Sequence, residues 1–183
     1  MKKEIEKDDN CFYPTFSYYY RETEQDYREL RELMVRYIEN NSEEYIFAFP
    51  DEDIIITDQD DELSIKTKKI QNILNYVNYA YRDGTYAWDL EITTACILFN
   101  CDIKMYQLVD NGFKLFNDFK PSQNENENVE IINILFINNN DFNLLLPKDF
   151  TLSENQHLIE KKVDLIMENI ILENKITFKL IQY

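Results

Sequence analysis

Asp8-Asp9-Asn10-Cys11-Phe12 is the stretch on which the reading of this chain turns. Three polar, turn-favouring residues precede a cysteine, and Phe12 through Tyr20 then reads as a buried helix. A cysteine where a polar loop meets a helix start feels the helix's positive end, which lowers its pKa and favours thiolate. A lone cysteine is more often a small buried hydrophobe than a nucleophile, so the rest of the chain must supply its partners. The stretch to weigh against it is Asn139-Asn140-Asp141-Phe142-Asn143, a polar segment between two apolar runs.

The bulk properties narrow the field. A chain of 183 residues is one domain's worth and buries about 70% of its unfolded surface. With 44% hydrophobic and 14% aromatic residues, there is ample material for a packed core. A formal charge of −16 argues against a nucleic-acid partner, whose phosphates would be repelled. It suits a basic protein partner, or simply solubility. No apolar run approaches the roughly 18 residues a membrane helix needs, so no membrane span is expected, and the charged start Met1 to Lys7 is not a signal peptide. Three cysteines, Cys11, Cys96 and Cys101, lack paired spacing, which points to a reducing compartment, cytoplasmic or otherwise intracellular. With one histidine and no Cys-x-x-Cys, no metal site is expected. The two glycines, Gly84 and Gly112, are expected where the backbone demands them.

Along the chain, Tyr27, Leu30, Met34, Tyr37 and Ile38 repeat at helical spacing. The acidic stretch Asp51 to Glu62 lacks the glycine and alternating ligands of a calcium loop and reads as a solvated insertion. Helices are expected at about Thr67 to Tyr81 and Asp89 to Phe99, separated by the breaker Asp83-Gly84-Thr85. Strands are expected at Ile103 to Val109 and Phe113 to Phe116 around an Asn111-Gly112 turn, then at Ile131 to Ile137 and Phe142 to Leu146. Between the hairpin and the last two, Ser122 to Glu130 reads as a polar loop. Ser153-x-x-Gln156 starts a further helix, and alternation at Ile176, Phe178 and Leu180 suggests a final strand.

Five separated pieces, in order, resemble the ovarian-tumour (OTU) family of cysteine deubiquitinases. Asp8-Asp9-Asn10-Cys11-Phe12 is similar to that family's nucleophile loop, Asp-Gly-Asn-Cys-Leu/Phe. Thr23-Glu24-Gln25 with Leu30-Arg31 resembles its next helix, and Asp83-Gly84-Thr85-Tyr86-Ala87-Trp88-Asp89-Leu90-Glu91 its Asp-Gly-Thr-Trp-Gly-Gly segment. Cys101 to Tyr106 resembles the following strand, and Ile131 to Leu146 the last. The resemblance covers about residues 8–147, leaving 148–183 as a C-terminal helix-strand extension of a single domain, 1–183. It implies an α+β, papain-like fold with helices around a small mixed sheet, a partner that is ubiquitin or a ubiquitin-like protein, and no cofactor. The implied catalytic positions are Cys11, Asp8, Asp141 and Asn143. Those implied for substrate are Asn10, Asp83, Gly84, Thr85, Tyr86, Trp88 and Phe142.

Three departures carry chemical weight: Asp9 replaces a glycine, Ala87-Trp88 replaces a glycine pair, and Asp141 stands at the histidine position. An imidazole takes the thiol proton and returns it to the leaving amine. A carboxylate beside the thiol instead raises the thiol pKa, and at pH 7 it is a poor proton donor. The expectation is therefore an OTU-like ubiquitin-binding domain with impaired or absent activity. The alternative is an active deubiquitinase using Cys11 with another base. His157 is one candidate, although it falls on the polar face of its expected helix with Lys161, Asp164 and Glu168.

Overall fold

The computed structural model describes residues 2–3, 11–21, 23–48, 55–110, 112–121, 129–137 and 141–146, with Lys2, Lys3 and Asp141 described as backbone. Asp8, Asp9, Asn10, His157 and the C-terminal extension lie outside these, as does most of the expected loop at 122–128.

A mixed five-stranded sheet carries the helices. Its strands are β1 (Lys2–Lys3), β2 (Cys101–Val109), β3 (Gly112–Phe119), β4 (Glu130–Ile137) and β5 (Asp141–Leu145), in the order β1-β5-β4-β2-β3. β2 and β4 run parallel, and the other neighbours are antiparallel. The apolar run at 131–137 therefore forms the central strand, as its lack of alternation suggests.

Register assembles the core. Ile103 faces Ile132 and Met105 faces Ile134 across the parallel pair, while Ile134 faces Leu144 and Phe136 faces Phe142 across the antiparallel one. Because side chains alternate along a strand, these residues share one face of the sheet. Helix α1 (Phe12–Arg21) packs there, buried at Phe12, Tyr13, Phe16 and Tyr20. Such all-round burial marks a core helix, and Pro14 is tolerated because it lies in the first turn. The Phe16 ring meets Phe99 edge-on at 5.0 Å; truncating either to alanine would cost about 3–5 kcal/mol.

Helix α2 (Tyr27–Asn40) buries Leu30, Met34 and Ile38 as its spacing requires, but also Arg31. A short 3₁₀ helix (Ser42–Ala48) follows. Helix α3 (Glu62–Ala80) begins at Glu62 rather than Thr67, because the Asp61 side chain accepts the Ser64 N–H at 2.8 Å and caps it. Val35, Ile38, Tyr45, Ile73 and Val77 form a second apolar cluster between these helices. Helix α4 (Asp89–Phe99) has the expected bounds and ends on Asn100 at φ 47°, the left-handed cap that turns the chain into β2. Gly84 (φ +80°) and Gly112 (φ +131°) do occupy positive-φ positions. Gly112, however, pairs with Val109 and belongs to β3, which runs on to Phe119. Among the described residues no helix is long and apolar enough to cross a membrane.

Candidate functional site

Cys11 sits immediately before α1, its carbonyl accepting the Thr15 N–H at 3.1 Å as the helix's first bond. The residue is 2% exposed, part of the main core cluster, and not disulfide-bonded. The Thr15 hydroxyl lies 2.6 Å from the Cys11 carbonyl oxygen and 3.1 Å from that of Phe142. One short side chain thereby fastens the start of α1 to the start of β5. The Phe12 ring reinforces the junction, edge-on to Phe142 at 5.8 Å. Asp141, paired with Ile137, is the first residue of β5, and Asn143, paired with Leu135, is buried two positions on. The first turn of α1, which follows Cys11, is therefore joined to Phe142 near the start of β5, although the two are distant in sequence.

Beside that junction lies a cavity of about 260 Å³, lined by Tyr86, Ala87, Trp88, Asp89, Ile92, Met105, Phe116, Phe136 and Phe142. Its floor is the core face of the sheet, where Phe136 stacks on Phe116 at 5.6 Å and lies 5.1 Å from Phe142. A register shift between Met105 and Tyr106 breaks the alternation of β3 next to Phe116. The far wall is the segment entering α4. Trp88, the extended N-cap residue (φ −108°, ψ −175°), stands 61% exposed at the lip. Three residues expected to meet a substrate, Tyr86, Trp88 and Phe142, line this cavity, as does Ala87 from the altered glycine pair.

Of the other expected substrate residues, Asp83, Gly84 and Thr85 sit behind the wall, and Asn10 lies outside the described residues. Thr85 is 6% exposed and held by Arg31, which donates to its hydroxyl and, at 3.0 Å, to its carbonyl. Arg31 also donates to the carbonyls of Ala80 (3.0 Å) and Arg82 (2.8 Å), and lies over the Tyr13 ring at 4.2 Å. Asp83 accepts from the Tyr27 hydroxyl and from Arg28, both at 2.9 Å, and the Tyr27 bond is the larger reason its pKa lies below the ordinary value. Gly84 makes the turn between them.

A second buried charge faces Arg31's network. Glu91, fully buried, accepts the Tyr76 hydroxyl at 2.6 and 2.7 Å and the Trp88 N–H at 2.9 Å. This is the acidic half of a capping box; the indole, a donor only, cannot return the bond. Burial raises the Glu91 pKa, opposed by those hydrogen bonds and by Arg31. The Tyr13 hydroxyl is buried without a hydrogen-bond partner among the described residues. Burial, and then the charge of Glu91, push its pKa up.

The sequence reading did not find Ile92, Met105, Phe116, Phe136 or the two buried charges. Strand periodicity alone does not say that β4 lies between β5 and β2, so nothing brought Phe116, Phe136 and Phe142 together. The burial of Arg31 had one signal: it stands four residues before Val35 and directly beside Leu30 on the apolar side of α2. Among the described residues no group of His, Cys, Asp and Glu side chains is arranged to hold a metal.

No family model and no curated protein matches the chain. Solved structures do. The OTU domain of OTUD1 matches with a TM-score of 0.59 at 18% identity, over 80% of this chain and 85% of that one. The viral OTU domain protease of Dera Ghazi Khan virus matches at 0.58 and 14%, over 81% of each. An OTU domain in complex with ubiquitin matches at 0.55 and 16%, over 91% of this chain and 84% of that one. The arrangement of helices on a mixed sheet described above is the OTU fold.

Proposed function

We propose that this chain is an OTU-like ubiquitin-binding domain whose thiol chemistry is impaired or absent. The observation that carries the reading is the Thr15 bridge, which brings the helix that follows Cys11 against the β5 backbone beginning at Asp141. In an OTU-type site that strand start is where the base belongs. A carboxylate there raises the thiol pKa from its ordinary value of about 8.5 and has no proton to give at neutral pH. Loss of the histidine from a comparable triad costs on the order of 10⁶ in turnover.

Binding makes fewer demands than catalysis. The aromatic cavity beside the junction suits the apolar side chains of an extended protein tail, and a formal charge of −16 favours encounter with a basic partner. Structural neighbours solved with ubiquitin support ubiquitin, or a ubiquitin-like protein, as that partner. One observation favours the second reading, an active deubiquitinase with a base elsewhere: a cysteine is kept at a helix start, where thiolate is favoured.

A ubiquitin carrying an electrophilic C-terminus separates the two. The expected result is reversible binding without labelling of Cys11, with Asp141→His raising its reactivity. Rapid labelling of the wild type, lost in Cys11→Ala, establishes the active enzyme. No binding of ubiquitin at high micromolar concentration refutes both.

A further inference from the structure

We propose that Arg31 and Glu91 are positioning residues that hold the aromatic wall Tyr86-Ala87-Trp88 in place over the cavity, one gripping each end of it. At the entering end, the Arg31 guanidinium reaches the carbonyls of Ala80, Arg82 and Thr85 and the Thr85 hydroxyl. At the leaving end, the Glu91 carboxylate holds the Trp88 N–H and is itself held by Tyr76 of α3. Between these two grips lie the residues that turn side chains to the cavity. Arg31 also packs on Tyr13, two residues from Cys11, so the same cation that sets the wall is registered against the helix of the candidate nucleophile.

Energetics favour this reading over a purely stabilising one. Burying a guanidinium and a carboxylate carries a desolvation cost that well-packed apolar residues of similar volume would avoid. What charged groups offer instead is direction: a planar fork with several donors fixes three carbonyls at once, and a carboxylate accepts from two donors at defined angles.

Trp88 is the sole tryptophan, so its fluorescence reports the wall without labelling. The variants are Glu91→Gln, whose single oxygen must serve both donors; Arg31→Lys, which cannot span the three carbonyls; and Tyr76→Phe, the mildest. The control is Ile73→Val in the second apolar cluster. The fast-decaying fraction of the Trp88 fluorescence anisotropy, which reads how freely the indole swings, should rise about twofold or more in the three variants relative to a control matched for distance below its own Tm. Ubiquitin affinity should weaken about tenfold, a loss of about 1.4 kcal/mol. A fast-decaying fraction equal to that of wild type or of the control in the variants that fold overturns the proposal, and Tyr76→Phe keeps this open should the charge variants not fold. The affinity arm rests on the ubiquitin-binding reading and the anisotropy arm does not. Absence of wild-type binding therefore counts against that reading alone.

Discussion

Replacing Thr15 by valine removes one hydroxyl and keeps the shape, so it isolates the junction on which the site depends. That hydroxyl is within reach of the carbonyls of Cys11 and Phe142, at 2.6 and 3.1 Å. The hydroxyl has one proton to share between these two acceptors; the Cys11 carbonyl keeps the Thr15 N–H in the variant, whereas the Phe142 carbonyl loses its share. A buried hydrogen bond contributes about 0.5–1.5 kcal/mol net, and an acceptor left without its donor raises the cost to about 1–3 kcal/mol. We expect about 1–2 kcal/mol, since valine restores contact with its second methyl. For a chain of this size that lowers Tm by about 2–8 °C. Local opening around Cys11 becomes easier by the same amount, so its alkylation by iodoacetamide should accelerate roughly 5- to 30-fold. Cys96 and Cys101, buried at the far end of α4, serve as internal standards when the alkylated peptides are mapped by mass spectrometry. Thr15→Ser should restore the slow rate. The reasoning fails if Cys11 reactivity is unchanged in Thr15→Val, or if all three cysteines accelerate by one common factor.

Two further outcomes follow from local geometry. Gly84→Ala meets no atom within 4 Å, so its cost is the strain of φ +80° alone, about 1–2 kcal/mol; a calorimetric Tm equal to that of wild type would contradict it. Asp60 accepts from Lys68 Nζ at 2.6 Å and from the Thr57 N–H at 2.6 Å, and these bonds hold its pKa down at about 2. Its stabilisation is full above the unfolded value near 4 and disappears as pH falls through about 2. Thermal stability should fall over that window, and Asp60→Asn should remove the Asp60 share of the loss while leaving that of the neighbouring cap, Asp61, whose pKa is also lowered by its bond from Ser64.

Where the sequence was legible, a single local device set each boundary. Asp89 to Phe99 was readable as a helix because a glycine turn precedes it and Asn100 follows. The buried centre of the sheet was readable because residues 131–137 are continuously apolar. The start of α3 was missed because Asp61, its cap, stands in an acidic stretch that reads as surface. The length of β3 was missed because Lys114 and Asp118 interrupt an edge strand whose alternation the register shift breaks. β1, only Lys2–Lys3, has no pattern to detect. At the site, the resemblance pointed to Trp88 and Phe142, but the cavity they line depends on strand neighbours far apart in sequence. The charges behind its wall run against the rule that places Arg and Glu in solvent.

The Thr15–Phe142 contact spans 127 positions of chain, and that separation has a consequence for biogenesis. Cys11 emerges early from the ribosome, whereas β5 follows only after more than a hundred further residues have been made. Contacts so remote along the chain close late in folding. Until the last strand docks, the nascent sulfhydryl has no pocket to shelter it and no neighbour to tune it. The junction thus acts as a proof of completion, withholding the assembled site from any chain that has not finished its sheet.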